Sequence, residues 1–466
     1  MALELRIESI GFEGKAIARK DGFVYFVDGG VPGDLVVAEV RKQKKSYAEA
    51  RIVEILESSP ARETPRCRYF GTCGGCKWQH LAYVEQCAWK KQNVQDAFER
   101  LGKVAYTALH DTLPADSQFY YRNKMEFSFG DSRWLTSDEI ARGENINKHF
   151  ALGLHIPGRY DKVLDVEECF LQSEVSSRIV NAVRKAALER GVSIYQTRTH
   201  EGFLRNLVVR NSTASGELMV ILVTSPLHED ADKQMIAWLE NNFVAAFPEI
   251  STAIHSVTTS KAAVAGGLTR TVHGSGVITE AILGVHYRVS PFSFFQTNTR
   301  QAERLFRVAL DYAGDIADKT VWDLYCGTGS ITLAAAQKAK FVVGIEIAES
   351  SILDARANAL ANGIANVEFV IEDMQKAVKK QILSRLPAPD VIIVDPPRAG
   401  LHADVVANLL EIGAPRIVYV SCNPATQARD CALLAEKYTV EDIQPVDMFP
   451  HTYHIESVAR LERKSA

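Results

Sequence analysis

Apolar and polar residues alternate strictly at the start of the chain. Five short runs, 5–10, 16–18, 23–27, 35–40 and 50–55, are separated by turns at Gly11, Asp21-Gly22 and Gly29-Gly30. A period of two marks half-buried strands, and strands at this spacing predict a small five-stranded, OB-like β-barrel over residues 1–58. A helical pattern follows over 81–101, with Val84, Cys87 and Trp89 as its apolar positions. Further on, strands at 218–223 and 254–258 mix with amphipathic helices at 179–189 and 231–243, which gives an α/β middle domain over 59–290. From 291 to 466 the pattern repeats strand, loop and helix, with strands at 321–324, 341–345, 367–371, 391–394 and 417–420. That rhythm predicts a mainly parallel, Rossmann-like α/β sheet with helices on both faces.

Composition changes this picture little. Hydrophobic content of 47% and charged content of 24% are ordinary for a globular chain of 466 residues. No run of eighteen apolar residues is present and the first ten residues carry acids, so neither a membrane span nor a signal peptide is expected. A cytoplasmic monomer is the expectation. The net charge of −4 means that any nucleic-acid contact relies on local positive charge. Two stretches offer it. Arg41-Lys42-Gln43-Lys44-Lys45-Ser46-Tyr47 is a basic loop between the last two barrel strands, suited to phosphate contact or simply to a solvated hairpin tip. Tyr120-Tyr121-Arg122-Asn123-Lys124-Met125-Glu126-Phe127-Ser128-Phe129 interleaves cations and aromatics along a strand, a pattern that serves base stacking or a half-buried strand equally well.

Eight cysteines carry the candidate chemistry. In Cys67-Arg68-Tyr69-Phe70-Gly71-Thr72-Cys73-Gly74-Gly75-Cys76, three thiols sit close together with glycines that permit a tight wrap around one centre. A closed site needs a fourth ligand, for which Cys169 is the choice, while Cys87 reads as core. Zinc and an iron–sulfur cluster both accept four thiolates, and the spacing does not separate them. His155, His200, His255 and His273 have no metal-like spacing.

The C-terminal half places further chemistry at strand ends, where open α/β sheets bind ligands. Gly327 and Gly329 follow an apolar strand and precede a helix, Glu346 ends the next strand, and Glu372-Asp373 ends the third. This succession suits the phosphate-free adenosine of S-adenosylmethionine (SAM) better than NAD, since no third glycine follows Gly329. Asp395-Pro396-Pro397-Arg398 ends the fourth strand, and Ser421-Cys422-Asn423-Pro424 ends the fifth. A cysteine there is either a buried small hydrophobe or a nucleophile.

Taken together these motifs resemble the uracil-5 RNA methyltransferases, in the branch that acts on 23S ribosomal RNA. The barrel resembles the TRAM module, and the cysteine cluster, Ser293-Phe294-Phe295-Gln296-Thr297-Asn298, the glycine loop, Asp-Pro-Pro-Arg, Ser-Cys-Asn-Pro and His454-Ile455-Glu456 follow in the family's order. The resemblance implies a TRAM barrel over 1–58, a central domain with a structural [4Fe-4S] cluster on Cys67, Cys73, Cys76 and Cys169, and a SAM-dependent methyltransferase domain over 291–466. It implies SAM contacts from Gln296, Tyr325, Glu346, Asp373 and Asp395, although Ser330 stands where many members have asparagine. It implies Cys422 as the thiolate that adds to uracil C6 and Glu456 as the base that removes the C5 proton, with His454 as its rival. Phe294 either stacks in the gap left by a flipped-out base or packs in the core. The expected substrate is 23S rRNA; the alternatives are tRNA, a non-catalytic RNA-binding protein with a cluster-stabilised fold and, ranked lower, cytosine-5 methyl transfer.

Overall fold

The N-terminal strands Ala2–Ile10, Ala16–Lys20, Phe23–Asp28, Leu35–Gln43 and Tyr47–Glu57 close into a barrel in a computed structural model that describes residues 2–143, 146–262, 264–375 and 385–465. Each of the five expected runs becomes one strand, lengthened at its ends. Their inward residues Leu5, Ile7, Ala16, Ala18, Val27, Val36, Ala38 and Ala50 form the barrel's own core. Small alanines on facing strands let so narrow a barrel close without a void.

The chain divides into two compact units. One comprises residues 1–66, 76–116 and 301–466, and so holds both the barrel and the C-terminal sheet; the other comprises 67–75 and 117–300. In the second unit, Lys124–Gly130, Leu204–Asn211, Leu218–Thr224 and Thr252–Val257 belong to an eight-stranded sheet. Helices Glu174–Arg190 and Asp230–Trp238 cover it through Ile179, Val180, Val183, Met235 and Ile236. Within the stretch read as an RNA contact, Tyr121, Asn123, Met125, Phe127 and Phe129 are buried and Lys124 pairs with Glu126 at 2.5 Å. Only alternate residues are buried, with Tyr120 and Glu126 exposed, so from Lys124 on it is a half-buried strand.

The C-terminal sheet of the first unit decides where the chemistry sits. Its order is Val367–Ile371, Phe341–Glu346, Thr320–Leu324, Val391–Val394, Arg416–Ser421, Glu456–Arg463, Tyr438–Val446 and Tyr106–Leu109. The first five strands are parallel, as the repeat predicts. The sixth is antiparallel to its neighbour, with Ser421 opposite Ser457. An antiparallel strand begins where the parallel ones end. The chain therefore delivers Glu456 to the edge at which Cys422 leaves its strand.

The helix Tyr83–Asp96 differs from its sequence reading. It buries Gln86, Lys90, Asn93 and Val94, whereas Val84 is exposed and Cys87 only half-buried. Its polar buried face is satisfied rather than apolar: Gln86 donates to the Trp78 and Leu81 carbonyls at 3.0 and 2.8 Å and accepts from the His451 amide at 2.8 Å.

Candidate active site

Cys422 sits in a turn built by its two neighbours. The Ser421 hydroxyl accepts the Asn423 amide (3.1 Å), and Asn423 caps the helix Pro424–Leu434 by accepting the Ala425 amide at 3.1 Å. The proline fits the first helical turn because it has no amide to satisfy there. The Asn423 side chain also donates to the Arg398 carbonyl at 3.0 Å, which ties the loop after Asp395 to the cysteine turn. An Asn-Pro after an apolar strand is a legible cap signal; its tether to Arg398 is visible only in three dimensions.

Four ionisable groups converge here. Burial pushes the Cys422 thiol up to about 11, with the Glu456 and Asp395 charges adding and the Arg398 guanidinium, hydrogen-bonded to the thiol, opposing. Glu456 is 8% exposed; burial first, then the Asp395 charge, hold its carboxyl well above the usual range, again against Arg398. Burial brings Asp395 up to about 7. A cavity of about 140 Å³ opens onto Cys422, lined also by Arg398, Asn423, Pro424, His454 and Ile455. That is smaller than the pockets of drug-sized ligands, roughly 300–1,000 Å³, and of the order of a single nucleobase. His454 faces this cavity from the loop before the last strand and is not itself in the strand.

A second group of residues gathers at the ends of the three strands beyond Asp395. Tyr325 adopts a left-handed φ of 65° as the chain leaves its strand, and Gly327 and Gly329 continue with φ of 54° and 83°. At Gly329 a side chain would also crowd Ala355 and Phe369 at 3.2 Å, so the loop can follow this path only as glycine. Glu346 accepts three backbone amides, from Ile347 and Ala348 at 2.9 Å and from Gly327 at 3.2 Å. Carboxylate oxygens offer about four lone-pair positions, which leaves room for one further donor. The Tyr325 hydroxyl is pushed up to about 12 by burial and by the charges of Asp373, Asp430 and Glu346, which puts Tyr325, Glu346 and Asp373 in one neighbourhood. Asp323 accepts the Thr332 hydroxyl on one oxygen at 2.6 Å, while its other oxygen is buried with no hydrogen-bond partner among the described residues. A buried acceptor without a partner is rare and calls for an explanation, such as a water, an ion or a ligand donor.

The second unit carries Gln296 and Phe294. Their loop is pinned by Arg210, which donates to the carbonyls of Ser290, Pro291 and Ser293 at 2.9, 3.0 and 3.0 Å, and by Asn123, which donates to the Gln296 carbonyl and the Thr299 hydroxyl at 2.8 Å each. Phe294 is 70% exposed, so it does not pack in the core. Asn123, within the stretch that interleaves cations and aromatics, thus holds this loop, and nothing in its local pattern marks Arg210 as the other anchor.

Of the cysteine set, Cys67, Cys73 and Cys169 pack against one apolar patch of Tyr69, Ile156, Leu164 and Val166. Their sulfurs accept backbone amides: Cys67 those of Tyr69 and Phe70, Cys73 that of Gly75 at 3.4 Å, and Cys169 those of Leu171 and Gln172. Amides aimed at sulfur stabilise thiolate ligands. Cys76, however, falls in the other unit, and among the described residues no three His, Cys, Asp or Glu side chains form a group able to hold a metal ion. The donor chemistry of Cys67, Cys73 and Cys169 fits a thiophilic metal.

Residues 213–464 match the family model described as tRNA (uracil-5-)-methyltransferase, and residues 2–53 match the TRAM domain. A protein of Bacteroides thetaiotaomicron described as an uncharacterized RNA methyltransferase is 44% identical over 97% of this chain and 99% of its own length. The chain belongs to the tRNA (uracil-5-)-methyltransferase family. Another uncharacterized RNA methyltransferase of the same kind, from Chlorobaculum tepidum, is 43% identical over 93% of this chain and 90% of its own. Among solved structures, the Pyrococcus abyssi tRNA (uracil-54, C5)-methyltransferase in complex with S-adenosyl-L-homocysteine superposes with a TM-score of 0.75 at 28% identity, covering 98% of this chain and 99% of its own. The family is one of SAM-dependent RNA uracil-C5 methyltransferases, and the TRAM barrel and methyltransferase fold are as the sequence resemblance implies. No helix among the described residues is long and apolar enough to cross a membrane.

Proposed function

We propose that this chain methylates C5 of an unpaired or flipped-out uridine in 23S rRNA, with Cys422 as nucleophile and Glu456 as base. The observation that carries the reading is the convergence of Cys422, Arg398, Asp395 and Glu456 at one sheet edge beside a nucleobase-sized cavity. Tyr325, Glu346, Asp373 and Asp395 would hold SAM, with Gln296 added on the family pattern; the spare lone pair of Glu346 and the orphan oxygen of Asp323 suit its hydroxyl and amino donors. Bound there, SAM supplies an electrophilic methyl group.

The protein's own residues do the rest. Cys422 gives up its thiol proton and its sulfur bonds to C6, moving the ring's electron pair into an enolate that makes C5 nucleophilic. Arg398 is placed to stabilise the departing proton's charge on sulfur. When C5 carries the methyl, Glu456 takes the C5 proton, the C5–C6 double bond reforms and the Cys422 sulfur leaves. A base in this role starts ionised, and the buried Glu456 is held towards its neutral form. Glu456 must therefore first give its own proton to solvent, as Cys422 does, and its raised proton affinity then suits it to take the C5 proton. Burial and the neighbouring acids favour Glu456 as the base; His454, facing the same cavity, is its rival.

A structural [4Fe-4S] cluster on Cys67, Cys73, Cys76 and Cys169 is part of the same proposal, supported by the amide-to-sulfur hydrogen bonds. Iron and sulfide analysis of anaerobically purified protein tests it, and zinc in place of iron would overturn it. One finding favours tRNA as substrate. The Pyrococcus enzyme described as acting on tRNA matches 98% of this chain, barrel included, so the barrel does not separate the two substrates. Transfer of labelled methyl from SAM to separate pools of unmodified 23S rRNA and tRNA, with nucleoside analysis, decides between them. Label as 5-methyluridine in rRNA supports the first reading, label in tRNA alone the second, and label in neither overturns both.

A further inference from the structure

The barrel reaches the catalytic cavity. Between its first two strands, the turn Phe12–Gly14 places Glu13 at φ 66° and ψ 10°, a left-handed conformation that a side chain disfavours, and Gly14 at φ 77°. Such strain persists only where the surroundings impose it. Here they do so through Trp78, whose indole N–H donates to the Gly14 carbonyl at 3.2 Å, and through Tyr453 and Trp78, which leave 2.9 and 3.0 Å for any side chain at position 14. Trp78 is in turn held by the loop before Glu456: the His451 carbonyl accepts the amides of Lys77 and Trp78 at 2.8 and 3.0 Å. The turn is thus locked to the segment that carries His454 and Glu456, within the same compact unit.

The outcome is an aromatic ring and a carboxylate where a barrel loop needs neither. Phe12 is 51% exposed, and Phe12 and Glu13 line the cavity that contains Cys422, Arg398 and His454. We infer that Phe12 stacks on the nucleotide entering this cavity and that Glu13 accepts a hydrogen bond from one of its N–H or O–H donors, so that the barrel forms a wall of the substrate site. Stacking on a single ring tolerates any base and strengthens binding severalfold to over a hundredfold. The carboxylate also repels phosphate from its part of the cavity, which biases how the nucleotide enters. The inference rests on the proposed function for the identity of the nucleotide, but not for its binding.

The test uses the full chain with Phe12→Leu, Phe12→Tyr, Glu13→Gln and Glu13→Ala. Methyl transfer to RNA is measured as KM and kcat separately, and RNA binding is measured by filter retention in a Cys422→Ala background. Phe12→Leu, which keeps the hydrophobic contact but not the stacking face, is expected to raise KM and weaken RNA binding about tenfold or more, with an unchanged unfolding midpoint; Phe12→Tyr is expected to restore both. Glu13→Ala is expected to raise KM severalfold, with Glu13→Gln recovering part of it. Wild-type activity together with unchanged KM and binding in Phe12→Leu overturns the inference. A wild type that methylates no RNA, but whose RNA binding still weakens with Phe12→Leu, overturns the proposed reaction and supports the stacking role.

Discussion

Cys422 is a poor thiolate in the free protein. With its thiol at about 11, the reactive fraction is small at neutral pH and grows tenfold with each unit of pH below that value. Arg398 is the cation that holds it down, and Asp395 and Glu456 are the acids that hold it up. Two substitutions should therefore move it in opposite directions. Arg398→Gln should slow alkylation of Cys422 by iodoacetamide at pH 8 by about tenfold, the equivalent of one pKa unit, while Asp395→Asn should speed it. Peptide mass spectrometry distinguishes Cys422 from the other seven cysteines. Equal rates in both variants would show that burial alone sets the thiol. Glu456→Gln tests the later step: without a base for the C5 proton the sulfur–C6 bond cannot break, so a denaturation-resistant protein–RNA adduct should accumulate with normal RNA. A free product at wild-type rate would assign the base to His454. The Ser-Cys-Asn-Pro and His-Ile-Glu motifs mark Cys422 and Glu456 as candidates in the sequence. Arg398 was visible only as the last residue of the Asp-Pro-Pro-Arg motif, with no hint of its contact with Cys422, because a guanidinium's partner 24 residues away leaves no local pattern.

At the level of elements, the critical joint is between the helix Tyr83–Asp96 and the loop that leads into Glu456. Lys90 and Asp447 form a fully buried ion pair at 2.5 Å, with Lys90 also donating to the Phe449 carbonyl at 3.1 Å and the Tyr83 hydroxyl donating to Asp447 at 2.8 Å. Removing one partner strands a charge that water cannot reach. Lys90→Met should cost about 3–5 kcal/mol in urea unfolding, and Lys90→Met with Asp447→Asn should cost less than the sum of the two single changes. Additive costs would mean that the two groups do not act as a pair. Because the same loop positions His454 and Glu456, the single variant should also lose methyl transfer at temperatures where it remains folded. This joint explains why one helix was misread. Periodicity locates an apolar stripe, yet here the buried stripe is Gln86, Lys90 and Asn93, which belongs inside only because Asp447 and the loop carbonyls meet it. The barrel and the parallel strands were legible for the opposite reason: their burial depends on alternation and apolar runs, both of which are local. The antiparallel reversal at Glu456–Arg463 has no such local sign, and it is what brings Glu456 to the edge where Cys422 lies.

For the whole molecule, the charges gathered at one sheet edge set how stability depends on pH. Asp323 and Asp395 are each held at about 7 by burial, above the ordinary 3.8. Their folded pKa exceeds the unfolded one, so the stability tied to their neutral forms is complete below 3.8 and is lost as pH rises through about 7. The buried histidines His80, His255 and His451 act in the reverse sense. Burial lowers each to about 4, so their contribution is complete above 6.5 and is lost as pH falls through about 4. Between those limits the two sets oppose each other; above 6.5 only the acids remain. The ligand-free protein should thus lose about 1 kcal/mol for each of these carboxyls between pH 6.5 and 8, from the linkage of proton binding to folding. Thermal unfolding across that interval reads it. Asp323→Asn should flatten the slope in part, since it removes one of the raised carboxyls, with Asp395 and Glu456 remaining, and leaves a neutral side chain that still accepts from Thr332. SAM should flatten it too if its amino group meets the orphan oxygen of Asp323, because a cation there stabilises the ionised form. A slope that Asp323→Asn leaves unchanged, while SAM still raises the midpoint, would place the donor's amino group elsewhere on the strand edge.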